Sequence, residues 1–234
     1  NAGQTGTSKK GVAKTIANEE MKKAKLGSCS QQLYTQFLFQ CERVASEYGF
    51  KSKSVGVFSP PLIITSGSFS KFRPYWYSRY NYKSGFMFQA SHFADVKGSW
   101  GVSFTLWNEG KTNIKQDLPV TLKDIKDDSI ISLSEKYLYT SDGREASKWA
   151  MAYTERGILD LPQQSSGLSL SKDGNCRVAS PHLCYMNNKG NCIMYNAQEV
   201  YITSSACSRN RGFSLNAGES WRRAIALYSA RKLV

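Results

Sequence analysis

Only two histidines occur in the 234 residues, His92 and His182. A Ser-His-Asp hydrolase can be drawn through either, but no Gly-x-Ser-x-Gly elbow is present to lift a serine out of a strand–helix turn. His92 reads as a hydrogen-bonding hairpin residue and His182 as a loop residue. Cysteines stand at 29, 41, 176, 184, 192 and 207 without a Cys-x-x-Cys pair, so the usual zinc spacing is missing. Cys176, Cys184 and Cys192 are evenly spaced around His182, yet buried or strand-facing thiols in a reducing cytoplasm are the simpler reading. No apolar run approaches the roughly 20 residues of a membrane helix, and no membrane partner is expected. Asn1 to Lys10 are polar, without a signal-peptide pattern or an initiator Met, so the chain is expected to start inside a longer, cytoplasmic product. An RNA-binding role has little support, because no aromatic RNA-recognition motif and no Gly-x-x-Gly clamp is found.

Acidic residues are scarce: 31 Lys and Arg face 18 Asp and Glu, a net charge of +13. Such an excess suits a polyanion, since each cation on a phosphate releases counterions. The plain alternative is a soluble basic surface. The hydrophobic share, 41%, is enough for a real core.

A short charged helix fits residues 13–25. The clearest helix covers about 30–49, where Leu33, Phe37, Cys41, Val44 and Tyr48 step by four, four, three and four into one stripe; Cys41 then reads as core, and Gly49 closes the helix. Val55 to Phe58 form a short strand stopped by Pro60-Pro61. Ser68 can cap a helix to about Tyr80, with Pro74 forcing a kink or a late start. Gly85 to Ser91 and Trp100 to Trp107 are two strands with a short link, expected to pair antiparallel. Residues 111–128 are polar and charged and suit a boundary. Strands are expected near 130–139, 183–186, 192–195 and 199–203, a short helix at 145–153 and a last helix at Glu219 to Leu233. A doubly wound sheet normally continues with parallel strands, so a terminal antiparallel hairpin is unusual.

Several segments carry a likeness to a known family. Gly6 to Thr15 precede the long helix, which holds Leu33-Tyr34-Thr35-Gln36-Phe37. Gly85 to Val96 and Gly101 to Trp107 span the hairpin, and Ala224 to Leu233 lie near the end. Together they resemble the adenine N6-methyltransferases of restriction–modification systems, strongly over 1–110 and thinly over 110–234. The family's sheet ends in a hairpin whose last strand inserts antiparallel. Two family features are missing. There is no Phe-x-Gly-x-Gly loop for S-adenosylmethionine. Ser59-Pro60-Pro61-Leu62 carries Leu where the catalytic loop has an aromatic, and only a helix and a hairpin follow it. It is therefore read as the end of the next strand, with the catalytic loop expected upstream of Asn1. The donor belongs to the full-length enzyme. None is expected on this fragment, which alone is expected to be inactive.

The resemblance assigns roles. An enzyme that methylates an adenine amino group must extrude the base from the duplex, and an aromatic face can then stack on it. The family's stacking aromatic falls on Phe93, with Trp100 as second choice. Aromatics are mostly buried, so Phe93 can equally be a hairpin core residue. Lys9, Lys10 and Lys14 are candidates to grip phosphates beside the flipped nucleotide, or else a solvated charge cluster. Arg209 and Arg211 form a loop able to meet a phosphate or a guanine edge. Lys71, Arg73 and Arg79, interleaved with Phe72, Tyr75, Trp76 and Tyr77, read as a helix with one basic and one apolar face.

The expected fold is α/β: the second half of a Rossmann-like methyltransferase sheet over 1–110, ending in an antiparallel hairpin, then a mixed, strand-rich accessory region over 111–234. The implied function is part of a site-specific DNA adenine N6-methyltransferase. Double-stranded DNA is the partner, with restriction or specificity subunits beside it. The alternative is a non-catalytic DNA-binding or specificity module of a restriction–modification system.

Overall fold

Thr15 ends the approach to the first helix, α1 (Ile16–Lys23): its hydroxyl accepts the Asn18 backbone N–H at 3.1 Å. That bond satisfies one of the amides a helix start leaves free, and Lys22 and Lys23 complement the dipole at the other end. A 3-10 turn, Ser28–Gln31, leads into α2 (Leu33–Glu47). The computed structural model describes residues 15–92, 101–140, 149–157, 176–178, 180–188, 200–204 and 212–232. The chain splits into two compact units, Asn1–Phe88 with Val102–Asp142, and Gln89–Gly101 with Gly143–Val234.

The buried face of α2 is not the stripe that periodicity selects. Phe37 is 67% exposed and Tyr48 71%, and Cys41 is exposed rather than core. The helix instead buries Thr35, Gln36, Leu38, Phe39, Glu42 and Ala45. The helix turns this mixed face inward because Gln36 and Glu42 have partners there: Gln36 Nε2 donates to the Ser30 carbonyl at 2.7 Å, and Tyr80 donates to Glu42 at 2.6 Å. Satisfied polar groups remove the burial penalty, and Phe37, Cys41 and Tyr48 of the apolar stripe are left outside, with Leu33 and Val44 half-buried.

After α2 come β1 (Ser54–Ser59), α3 (Leu62–Thr65), a 3-10 turn at Gly67–Phe69, and α4 (Phe72–Tyr77). The late start of α4 puts Pro74 in the first turn, where no N–H is needed. Then follow β2 (Tyr80–Gln89), a 3-10 turn at Ala90–His92, β3 (Gly101–Glu109), β4 (Leu118–Lys126) and β5 (Ser129–Leu138). These strands form a mixed five-stranded sheet in the order β1-β3-β2-β4-β5. β3 lies antiparallel to β1, β4 parallel to β2, and β5 antiparallel to β4. The last pair turns at Asp127 and Asp128, both at positive φ (49° and 57°), the backbone of a tight mirror-image hairpin turn.

Register fixes the two faces of this sheet, because residues directly opposite point the same way. Val55↔Trp107, Val57↔Thr105 and Ser59↔Ser103 share one face; Gly56↔Leu106 and Phe58↔Phe104 share the other. The first face is the core. Trp107, fully buried, meets Trp76 edge-on at 6.1 Å, Tyr77 at 5.7 Å and Tyr82 at 5.1 Å. Tyr80 and Tyr82 are buried, and so is Met87 five residues on. An odd step means the alternation slips by one between them. Gly85 lies in that stretch, where a Cβ would meet the Phe104 carbonyl oxygen at 2.8 Å, so only glycine fits the close approach.

The second unit holds β6 (Glu155–Gly157) paired with β7 (Cys176–Val178), and an antiparallel sheet β10-β8-β9 made of β8 (Cys184–Asn188), β9 (Val200–Thr203) and β10 (Gly212–Leu215). Against it packs α5 (Glu219–Lys232). Ala150, Met186, Val200, Phe213, Leu215, Ala224 and Leu227 form its core, with Trp221 and Tyr228 partly buried on it. Among the described residues no helix is long and apolar enough to cross a membrane.

Candidate functional site

In an open α/β sheet, ligands gather beyond the carboxyl ends of the strands. For β1 that end is Ser59, held beside β3 by Ser103 Oγ, which donates to the Ser59 carbonyl at 2.9 Å. The chain then turns through Pro60-Pro61 into α3. Arg73 fixes this turn: buried, it donates from one guanidinium nitrogen to the carbonyls of Ile63, Ile64 and Ser66 at 3.1, 3.2 and 2.7 Å. Thr140 Oγ1 adds a 2.8 Å bond to Ile64. Arg73 therefore is not part of a basic helix face; it is a carbonyl clamp in the core, while Arg79 stays outside over the Tyr75 ring at 4.1 Å. No sequence periodicity marks Arg73 for this role, since its partners come from the irregular turn.

The segment 93–100 joins the turn after β2 to the start of β3. Phe93 and Trp100 belong to it, and both lie outside the described residues. So do Lys9, Lys10 and Lys14, and Arg209 and Arg211. The structure therefore brings none of the seven candidate residues into a described site.

What the structure does assemble is a buried polar clamp between α1 and α2. Thr15 Oγ1 donates to Gln36 Oε1 at 2.7 Å. Gln36 Nε2 and Asn18 Nδ2 both donate to the Ser30 carbonyl, at 2.7 and 2.5 Å. Asn18 is 2% exposed and Gln36 7%. Asn18 Oδ1 and the Thr35 hydroxyl are buried beside these groups without a hydrogen-bond partner. In the residue adjoining Ser30, burial pushes the Cys29 thiol up to about 11, which makes it an inert core group.

A second cluster centres on Glu42. Its carboxylate accepts from Tyr80 OH at 2.6 Å and Ser46 Oγ at 2.9 Å, with Lys53 Nζ at 3.6 Å and Arg79 Nε at 3.7 Å. Burial first, then the bond to Glu42, raises the Tyr80 pKa. A buried carboxylate paired in this way ties α2 to the sheet.

In the second unit His182 Nδ1 lies 2.9 Å from Ser214 Oγ. Partial burial lowers the His182 pKa, but Ser214 is wholly buried, so the pair is not an accessible nucleophile and base. Arg223 lies over Trp149 (4.9 Å) and Tyr153 (4.6 Å) and bonds the Trp149 carbonyl at 3.0 Å. Among the described residues no group of three or more His, Cys, Asp or Glu is placed to hold a metal ion.

Among the described residues no strand enters a helix through the Phe-x-Gly-x-Gly loop that the resemblance associates with S-adenosylmethionine. β1 passes into α3 through Pro60-Pro61, neither of which has an amide N–H, and β10 passes into α5 through Asn216 to Gly218. The glycines at positive φ, Gly27, Gly49 and Gly110, follow a helix or leave the sheet. Compared with known protein families, curated proteins and solved structures, the chain matches none.

Proposed function

We propose that this chain is the later part of a site-specific DNA adenine N6-methyltransferase and supplies the DNA side of the reaction, while segments elsewhere hold the donor. The observation that carries the reading is the strand order β1-β3-β2, with β3 between its two predecessors and antiparallel to β1. The resemblance implies this order for its last three strands, although here β4 and β5 continue the same sheet beyond β2.

Three exposed features agree with a half sheet. β1 is an edge strand, and a sheet edge offers unpaired amides and carbonyls. Next to it lies a face of four phenylalanines. Phe58, 54% exposed, packs on Phe104 at 4.8 Å, and Phe86 and Phe88 lie about it at 6.1 and 6.3 Å. The stripe Phe37, Cys41 and Tyr48 on α2 is bare as well. Sheets of the doubly wound kind have both faces covered, so a partner half would find apolar surface ready on both sides.

In this reading Phe93 stacks on the extruded adenine, Trp100 being the second choice, and the basic residues Lys9, Lys10, Lys14, Arg209 and Arg211 meet phosphates. Stacking needs only a flat ring. In the full-length gene product, Phe93→Trp should keep methyl transfer to DNA, and Phe93→Ala should slow it roughly ten- to hundredfold. Transfer of labelled methyl groups to duplex DNA measures both. A gene product that transfers no methyl group, yet binds DNA through this chain, would move the assignment to a non-catalytic specificity module.

A further inference from the structure

In the second unit a 3-10 turn at Met151–Tyr153 has two unlike sides. Ala150, just before it, is buried in the core, and Met151 packs against that core. Thr154 closes the turn, donating its backbone N–H and its hydroxyl to the Met151 carbonyl at 3.0 and 2.7 Å. Trp149 and Tyr153 stay in solvent, at 38% and 51% exposure, and Arg223 of α5 holds both. Its guanidinium donates from Nε to Glu219 at 3.2 Å, and from its two terminal nitrogens to the Trp149 carbonyl at 3.0 Å and the Tyr153 hydroxyl at 3.3 Å. The same planar group lies over both rings, 4.9 Å from the Trp149 centroid and 4.6 Å from that of Tyr153. The bonds to the carbonyl and the carboxylate would by themselves tie the turn to α5. They do not call for two large rings left in water, where apolar surface is unfavourable.

We propose that Trp149, with Tyr153 beside it, is a stacking platform for an unpaired base of a single-stranded nucleic acid, that Arg223 is its positioning residue, and that Arg222 meets the strand's phosphate. Three observations converge on that ligand. The rings are already held in place by Arg223, so binding does not have to order them. A cation against one side of a ring draws its π-electrons inward, so the outward side suits an electron-rich base better than a second cation. Arg222, next along α5, is exposed, whereas Glu219 is taken up by Arg223; the charge left over calls for an anion. A base with its phosphate is flat, electron-rich and anionic at once. In a duplex each base is already covered on both faces by its neighbours, so a single strand is what the platform selects. Stacking of this kind tolerates any base. The proposal goes beyond the methyltransferase reading and does not depend on it.

The test uses the whole chain and a short, fluorescein-labelled DNA strand of mixed sequence, alone and as its duplex, with binding followed by anisotropy across a salt series. Adenosine monophosphate is titrated separately. Trp149→Ala should weaken single-strand binding roughly five- to a hundredfold and leave duplex binding unchanged. Trp149→Phe keeps a ring and should retain most of the affinity. Arg223→Lys keeps the charge but not the planar fork, and should weaken single-strand binding with the salt slope unchanged. Arg222→Ala should make that slope shallower by about 0.7, the share of one phosphate on a single strand. If the turn is only a structural tether, Trp149→Ala lowers the melting temperature and leaves the single-strand affinity of the folded protein as it was, and that result overturns the inference. Equal losses for Trp149→Ala and Trp149→Phe, an equal loss on duplex, or binding of the mononucleotide without binding of the strand overturn it as well. If Trp149→Ala does not fold, Trp149→Leu, which keeps apolar bulk without a ring, takes its place under the same criteria. Should the parent bind duplex DNA while no variant alters single-strand binding, the platform fails and the proposed function stands. Should duplex binding be absent while the Trp149 effect on the single strand holds, the platform stands and the proposed function loses its DNA partner.

Discussion

The two faces of the five-stranded sheet are both aromatic, but they are aromatic in different ways. On the covered face Trp76, Tyr80, Tyr82 and Trp107 are all buried and packed at ring separations of 4.0 to 6.1 Å. They carry polar tips, and most tips find partners: Trp107 Nε1 donates to Thr105, Tyr80 to Glu42, and Tyr82 to the Pro119 carbonyl. On the open face the rings are Phe58, Phe86, Phe88 and Phe104, which have no polar atoms at all. A tryptophan or tyrosine can be oriented by its hydrogen bond; a phenylalanine adapts to whatever packs against it. One face is finished by its own unit, and the other is suited to being covered.

The largest test of this contrast is a pair of truncations. Trp107→Ala should cost about 3–5 kcal/mol, because it opens a cavity among buried rings. Phe104→Ala, on the open face, should cost no more than about 1 kcal/mol. Urea unfolding measures both, and equal losses would show that the open face is also core. Next in size is Glu42→Ala. It strips the partner from Tyr80 and from two cations, and the expected loss is about 2 kcal/mol, below the value for a fully buried pair because Lys53 and Arg79 reach solvent. Tyr80→Phe should cost about half as much by the same measurement.

The cysteines sharpen the same contrast on α2. Cys41 lies on the exposed stripe and Cys29 in the core, with its thiol pushed up to about 11 by burial. At neutral pH the shift alone leaves Cys29 about a hundredfold less thiolate than an ordinary cysteine at 9. Alkylation of the native protein, followed by mass spectrometry, should modify Cys41 long before Cys29. Comparable rates would mean that the stripe on α2 is covered in solution. The smallest effect concerns His182 in the second unit. Its folded pKa lies below the ordinary 6.5 because burial disfavours the charged ring. The unfolded chain therefore binds the proton more readily, so the contribution to stability is complete above about pH 6.5 and is lost as pH falls from there toward the folded value. A melting temperature of this unit that rises between pH 7 and pH 5 would contradict it.

The sequence made some of this legible and hid the rest for physical reasons. α2, β1, the late α4, the hairpin strands, β5 and the last helix are where period, proline and glycine place them. Periodicity does not reveal the buried face of α2, because a clean apolar stripe outweighs polar residues in such an argument, and Gln36 and Glu42 find their partners only when α1, Ser30 and Tyr80 arrive from elsewhere in the chain. β4 resembles a polar boundary in sequence, although Leu118, Val120 and Leu122 alternate; Pro119, whose carbonyl serves Tyr82, and the surrounding charges obscure the pattern. The candidate site is less legible still. Phe93, Trp100 and the basic residues rest on the resemblance alone, while Arg73 and Gln36 act on main-chain carbonyls and leave no motif.

Trp76 stacks on Tyr80 at 4.0 Å, with an interplanar angle of 17°, and stands nearly perpendicular to Trp107, at 80° and 6.1 Å. Chromophores so close and so rigidly oriented share their electronic excitation, so the covered face should give a strong near-ultraviolet dichroism band that vanishes when side-chain packing is lost. The four phenylalanines opposite absorb weakly and at shorter wavelength. Light therefore reports on one side of the sheet and passes over the other, and a partner settling on the open face can be followed against a signal that its arrival leaves undisturbed.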